Sequence, residues 1–290
     1  MTGEGTELRK LGTVLAAMLA ILALEVAGGF VSGSLALLAD AAHMATDAAS
    51  AALALWAAWL AQRPPDARRT FGYGRSKVLA ALANGSALFA IVALVWIEGI
   101  RHLSRPQPVS QGIMIGVAAV ALLANLTLSW LLARGHGVSL NVRAVIAHAL
   151  GDALASLGVI IAAAIIIVTG WLQADAVISL LIGVLVAFSA WSVIRDSVNV
   201  LMEGVPREFD VEALRHTLGA LPYISDVHDL HVWCVDDRDL AASFHVRIPD
   251  AALANSPQTV TRLKLLLASR FNVAHATIEV ESQSCGEACD

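Results

Sequence analysis

The sequence predicts a six-helix membrane bundle followed by a cytoplasmic α+β domain of ferredoxin-like αββαβ order. Three observations carry this reading. Only 15% of the 290 residues are charged and 57% are hydrophobic, whereas soluble domains carry about 25% charged residues. Six apolar stretches, roughly 11–31, 35–61, 78–100, 112–134, 144–169 and 175–202, reach the ~20 residues that a bilayer-spanning helix needs. After Glu203-Gly-Val-Pro206 the pattern changes to short amphipathic helices and alternating strands.

The first stretch has the flanks of a signal peptide, with Arg9 and Lys10 ahead of an apolar run. Glu25 interrupts it and no clear cleavage site follows, so it reads as a retained helix. Loop charges orient the bundle. The 63–77 loop holds Arg63, Arg68, Arg69, Arg75 and Lys77, and the 134–143 loop holds Arg134 and Arg143. The 101–110 loop has only Arg101 and Arg105, and the turns at 32–34 and 170–174 have no charge. With Arg9 and Lys10, nine basic residues face two, which places both termini in the cytoplasm, as for a multi-pass protein of a bacterial inner membrane. The expected organisation is a cytoplasmic N-terminus (1–10), a transport domain (11–205), a cytoplasmic metal-binding domain (206–283) and a short tail (284–290).

Within the soluble part, a helix is expected over 208–220, ended by Gly219 and Pro222, and a strand over 224–235. A turn at 236–239, a strand over 240–248, a helix over 256–270 and a strand over 275–282 complete it. Residues 207–290 carry seven Lys/Arg against 13 Asp/Glu, a net charge of −6, and five of the nine histidines. Such a domain repels nucleic acid and attracts cations.

One internal repeat points to chemistry. His43-Met-Ala-Thr-Asp47 on the second helix matches His148-Ala-Leu-Gly-Asp152 on the fifth. Residues four apart lie one helical turn above each other on one face. Each helix then offers an imidazole and a carboxylate in one direction, and two such helices supply the N2O2 set that suits tetrahedral zinc. A central Asp costs about 2.5–3.5 kcal/mol on insertion scales, so two cost roughly 5–7 kcal/mol, and a bound divalent cation or protonation offsets that. The plainer alternative is a pair of His–Asp hydrogen bonds that only glue helices. Asp40, one turn before His43, is expected near a helix end, orienting a ligand. Glu25, Asn84, Glu98, Asn125 and Asp175 are expected as interhelical hydrogen-bonders or interfacial groups.

A second candidate lies in the soluble domain. If the hairpin turns at Asp237-Arg238, residue 228 opposes 247 and 230 opposes 245, so His228 and His245 become diagonal neighbours on one sheet face. Thr277, Glu279 and Glu281 alternate onto one face of the last strand. Two imidazoles and a carboxylate there make a metal site; a solvated acidic face is the plainer reading. His231 is expected on the opposite face, and His102, His136 and His216 as exposed residues. Cys234, Cys285 and Cys289 form no disulfide framework, and Cys285-Gly-Glu-Ala-Cys289 is either a metal pair or an idle reduced one.

Over nearly its full length the chain resembles the cation diffusion facilitator family of metal/proton antiporters. The stretches that carry the resemblance are Gly33-Ser-Leu-Ala-Leu-Leu-Ala-Asp-Ala-Ala-His43, Arg69-Thr-Phe-Gly-Tyr-Gly-Arg75, Asn141-Val-Arg-Ala144 and Val227-His-Asp-Leu-His-Val-Trp233. The resemblance implies a homodimer that exchanges zinc for protons, with transport ligands at His43, Asp47, His148 and Asp152. A His at position 43 implies zinc preference. Cytoplasmic ligands would be His228, His245 and Glu281, with Glu279 where some members have a histidine, and zinc there would draw paired domains together. Some members hold an ion in the loop after the second helix through an Asp and two His. Here Asp66 stands with Arg69 and Tyr73, so that site is expected to be absent. The N-terminal His-Cys-His of some animal members is also missing, which leaves Cys285 and Cys289 at most a partial site, helped by His275. The expected function is proton-coupled zinc export. Alternatives are transport of cadmium, cobalt, manganese or iron, a membrane-embedded zinc hydrolase, and a metal sensor.

Overall fold

The computed structural model describes residues 4–133, 140–235 and 239–282, the side chains of 4–17 and 140–145 excepted. Six long helices come first: α1 (Glu4–Ser32), α2 (Leu35–Ala61), α3 (Ser76–Ser104), α4 (Gln111–Ala133), α5 (Leu140–Thr169) and α6 (Gln173–Leu201). Then follow α7 (Val211–Gly219), β1 (Asp226–Cys234), β2 (Leu240–Arg247), a 3-10 turn (Asp250–Asn255), α8 (Ser256–Phe271) and β3 (Val273–Glu281). The expected six-helix-plus-αββαβ order holds. The helices outrun their apolar cores by up to seven residues, because apolar runs mark the bilayer-depth segment and not where the backbone bonds stop.

Among the described residues, α2 through α6 are each long and apolar enough to cross a membrane, and Met18–Ser32 is a shorter apolar segment of α1. Burial is inverted relative to a soluble bundle. Phe188 and Val168 are 79% and 83% exposed, while Glu25, Asp40, Asn125, Asp152, Ser156 and Asp175 are buried. That is the pattern of helices that face lipid outward and keep polar groups for the interior.

The chain divides into two compact units. Residues 1–52 with 84–192 form the first, and residues 53–83 with 193–290 form the second. In the first, small residues set the helix spacing. A Cβ on Gly28 of α1 would lie 2.6 Å from Val117 of α4, and one on Gly29 would lie 2.7 Å from Leu38 of α2, so α1 sinks between two neighbours only because both positions are glycine. The start of α2 is capped from two sides. The Leu37 amide donates to Ser34 Oγ (3.2 Å), and Asp175 of α6 accepts from Ser34 Oγ (2.5 Å) and from the Leu35 and Ala36 amides (2.7 and 3.3 Å). These are the N–H groups that a helix cannot satisfy by itself. Asp175 is thus an interhelical hydrogen-bonder, as expected. Glu98 meets Arg101 and His102 at 3.0 and 3.5 Å. That contact leaves His102 only 18% exposed, against the expectation of full exposure. His216 is exposed, and His136 lies outside the described residues.

In the second unit a three-stranded sheet has the order β1-β2-β3, antiparallel between β1 and β2 and parallel between β2 and β3. Its core is made by Leu214 and Leu218 of α7, Phe244 and Val246 of β2, and Leu263 and Leu267 of α8, all fully buried. Asp210 caps α7 by accepting from the Ala213 amide at 2.9 Å, and α8 ends on Asn272 at φ 55°, a left-handed cap that Asn tolerates. The hairpin register differs from expectation. His228 pairs directly with His245, not diagonally, and His231 pairs with Ser243, with the register shifting between them. One extra residue on β1 is a β-bulge, and Asp229 within it takes φ 50°. The bulge reverses the alternation of faces, so His231 joins His228 on the outward side instead of opposing it. Of the expected turn, residues 236–238 lie outside the described residues.

Candidate metal centres

The first unit brings the repeated motif together. Nε2 of His148 lies 3.2 Å from Asp47 and 3.7 Å from Asp152. Nε2 of His43 lies 3.7 Å from both Asp47 and Asp152. One donor atom from each of the four residues lies within 4.8 Å of every other. Donors at the corners of a tetrahedron with bonds of ~2.0–2.1 Å stand about 3.3 Å apart, so the imidazole–carboxylate pairs are already near that spacing and the wider pairs would draw in around an ion. The pairs also show how the helices run. Asp47 meets His148, and His43 meets Asp152, the order two antiparallel helices give. The same ladder continues one rung further: Ser156 Oγ donates to Asp40 Oδ2 at 3.4 Å. Asp40 therefore sits in the second turn of α2, buried and bound to a serine. Among the described residues its one hydrogen bond is to Ser156, not to a candidate ligand.

On the outward sheet face a second group forms. His228 Nε2 and His245 Nδ1 approach the two oxygens of Glu281 at 3.3 and 2.9 Å, and the two rings lie 5.3 Å apart, edge to face. The direct pairing of His228 with His245 makes this group tighter than a diagonal arrangement would. Glu279 is 66% exposed and reaches the other ring nitrogen of His245 at 3.6 Å, the same distance as Asp229. Sequence reasoning missed Asp229. Its signal is the interval of three between Val227 and Leu230, followed by the interval of two to Val232, where a regular strand keeps intervals of two. Among the described residues His275 joins neither group. Its ring instead packs against Phe71, with centroids 5.8 Å apart. Cys285 and Cys289 lie outside the described residues.

The loop after α2 holds a hydrogen-bonded clasp. Asp66 accepts from the Tyr73 hydroxyl at 2.6 Å and from the Arg68 and Arg69 amides at 2.7 and 2.8 Å, and Arg69 stacks on the Tyr73 ring. These bonds, the Tyr73 hydroxyl foremost, hold the Asp66 carboxyl below the usual carboxylate range. Arg69 and Tyr73 thus occupy Asp66 with hydrogen bonds and positive charge.

Residues 12–202 match the cation efflux transmembrane domain family. The chain belongs to the cation efflux family. Residues 206–283 match the cytoplasmic domain of cation efflux proteins, so the C-terminal domain of this multi-pass membrane protein is cytoplasmic. Among cation efflux relatives, the zinc transporter ZitB of Escherichia coli is 43% identical over 90% of this chain and 83% of its own length. The metal cation efflux system protein CzcD of Cupriavidus metallidurans is 38% identical over 97% and 88%. A cadmium, cobalt and zinc/H(+)-K(+) antiporter of Bacillus subtilis is 35% identical over 90% and 85%. The family expected from the motifs is the one the comparisons give.

Proposed function

We propose that this chain exports Zn2+ from the cytoplasm in exchange for protons, with His43, Asp47, His148 and Asp152 as the transport site. The single observation that carries the reading is the N2O2 cluster between α2 and α5, with imidazole–carboxylate distances of 3.2–3.7 Å and all four donors within 4.8 Å of one another. The names of the relatives, transporters of zinc and in one case antiporters, support zinc over other cargo and a transporter over a hydrolase. Neutral imidazoles with ionised carboxylates accept zinc from the cytoplasm, and the bundle then rearranges to open outward. A proton and a metal cannot share one nitrogen lone pair, so protons arriving at the same ligands displace the ion. Exchange for two protons moves no net charge. Exchange for one moves a single charge, opposed by about 2.3 kcal/mol per 100 mV.

We further assign His228, His245 and Glu281 to a regulatory zinc site of the cytoplasmic domain, with Asp229 and Glu279 flanking it, and the working form to a homodimer. The match of residues 206–283 to the cytoplasmic domain family supports the assembly. A wider cargo that includes cadmium and cobalt is the second reading, favoured by the printed name of the Bacillus subtilis relative.

The test is zinc uptake into inverted vesicles with an acid lumen. Asp47→Ala and Asp152→Ala should each abolish uptake while the protein still inserts, a loss of about 100-fold or more for a metal deprived of a ligand. Wild-type rates in either variant would sink the site assignment, and a metal panel in the same assay ranks the cargo.

A further inference from the structure

The zinc cluster leaves two buried carboxylates without a task. Glu25 of α1 is 0% exposed and Asp40 of α2 is 1% exposed. Among the described residues neither oxygen of Glu25 has a hydrogen-bond partner, and neither does Oδ1 of Asp40. A buried carboxylate in that state must find a donor, a proton or a cation.

The packing sets both carboxylates inside the bundle, on helices that touch at Gly29 and Leu38. Glu25 shares a helical face with Gly28 and Gly29, three and four residues on. A Cβ on those glycines would strike Val117 of α4 and Leu38 of α2, so this face of α1 is the one pressed into the bundle. The charged groups whose fields act on Glu25 are Asp40 and, across the gap, Asp152. α1 from Met18, α2, α4 and the described side chains of α5 contain no Lys or Arg, and the groups on them that can carry positive charge are the imidazoles of His43 and His148. While those imidazoles are neutral and hold an ion, the charge that neutralises the carboxylates comes from solution.

Depth gives the pair its direction. The cytoplasmic end of α6 places the α1–α2 turn at Gly33 on the external side. Asp40 is seven residues past that turn and Glu25 eight before it, or about 10–12 Å inward along each helix. His43 lies one turn deeper. An ion entering from outside meets the pair before it meets the zinc cluster.

We propose that Glu25 and Asp40 form a second cation site that binds a monovalent counter-ion, a proton or an alkali cation, in addition to the protons that compete at the zinc ligands. The inference rests on the export reading. Carboxylate oxygens without an imidazole suit a proton or a hard cation and disfavour zinc. While both carboxylates are ionised, their field strengthens the hold of the nearby zinc cluster on a dication. Filling the pair with positive charge from outside weakens that hold, and linkage requires zinc in turn to weaken counter-ion binding. Zinc release to the outside and counter-ion entry thereby become one event.

The experiment uses the full chain in proteoliposomes and two modes of zinc movement. One is uphill uptake driven by an acid lumen; the other is exchange of labelled for unlabelled zinc at equal pH, which needs no counter-ion. Glu25→Gln and Asp40→Asn keep shape and remove charge. Each should cut gradient-driven uptake by about tenfold while exchange, read at saturating zinc where a lowered affinity does not limit it, stays within about twofold of wild type. Unchanged gradient-driven uptake overturns the proposal, and so does an equal loss of both modes in a variant with the wild-type melting temperature. If Glu25→Gln does not insert, Asp40→Asn alone decides by the same comparison. Gradients of potassium or sodium at constant pH identify the ion: uptake by the wild type under one of them names an alkali cation, and uptake under the acid lumen alone names the proton. A wild type that moves zinc in neither mode would overturn the export reading itself.

Discussion

Asp66 shows how one side chain changes what a loop can hold. With Tyr73 and Arg69 beside it, the carboxylate accepts three hydrogen bonds, and its pKa falls below the ordinary 3.8. The sign of the linkage follows. A depressed folded-state pKa means that the clasp contributes fully above the ordinary carboxylate range and is lost as pH drops through the lowered value. The clasp should therefore stay shut across neutral pH and open only in strong acid. Carboxyl carbon NMR of Asp66 should show its titration moving back toward 3.8 in Tyr73→Phe; identical curves in the two proteins would contradict the clasp. These three residues stood out only through the family resemblance, which sets Arg69 and Tyr73 where some members have histidines; that they bond to Asp66 is seen in the structure alone. Glu25 was not legible in this way. A sequence shows a carboxylate in an apolar run, but whether that carboxylate finds a donor depends on which side chains reach it in three dimensions, and among the described residues none does.

At the scale of elements, the transport cluster depends on where α2 begins. Asp175 on α6 satisfies the Leu35 and Ala36 amides and the Ser34 hydroxyl, and His43 and Asp47 ride two and three turns further along the same helix. Asp175→Ala would strand those donors in a place water reaches poorly, at about 2–4 kcal/mol for two to three unmet bonds. We expect hydrogen exchange at the Leu35 and Ala36 amides to accelerate and zinc affinity at the cluster to fall; unaltered exchange would remove the cap from the account. The helices themselves were plain in the sequence, since twenty apolar residues leave few alternatives, and the antiparallel pairing of the two motifs follows from their places on the second and fifth spans. The hairpin was less plain. Strict alternation assigned His231 to the wrong face because one bulged residue is enough to invert every position beyond it. The turn that fixes register also gave no warning of a shift further along β1.

For the whole molecule, two candidate metal groups must be told apart by what each can do. The bilayer cluster offers four donors, among them the buried Asp152, between helices whose described side chains include no Lys or Arg. The cytoplasmic group offers three donors on a half-buried sheet face and belongs to the other compact unit. Four donors complete a zinc coordination sphere, while three leave a position for water or for a fourth ligand such as Asp229 or a side chain of a second copy. The first geometry suits an ion that is carried, the second an ion that is sensed. His245→Ala removes the donor that contacts Glu281 at 2.9 Å and leaves every bilayer ligand in place. Maximal zinc flux should then remain within about twofold of wild type, while the zinc concentration needed for half-maximal flux rises several-fold as the cytoplasmic domain loses its ion. Initial rates against zinc concentration in inverted vesicles measure both quantities at once. If His245→Ala removed the maximal rate instead, the sheet-face group would belong to the path of the ion, and the division between carrying and sensing would have to be abandoned.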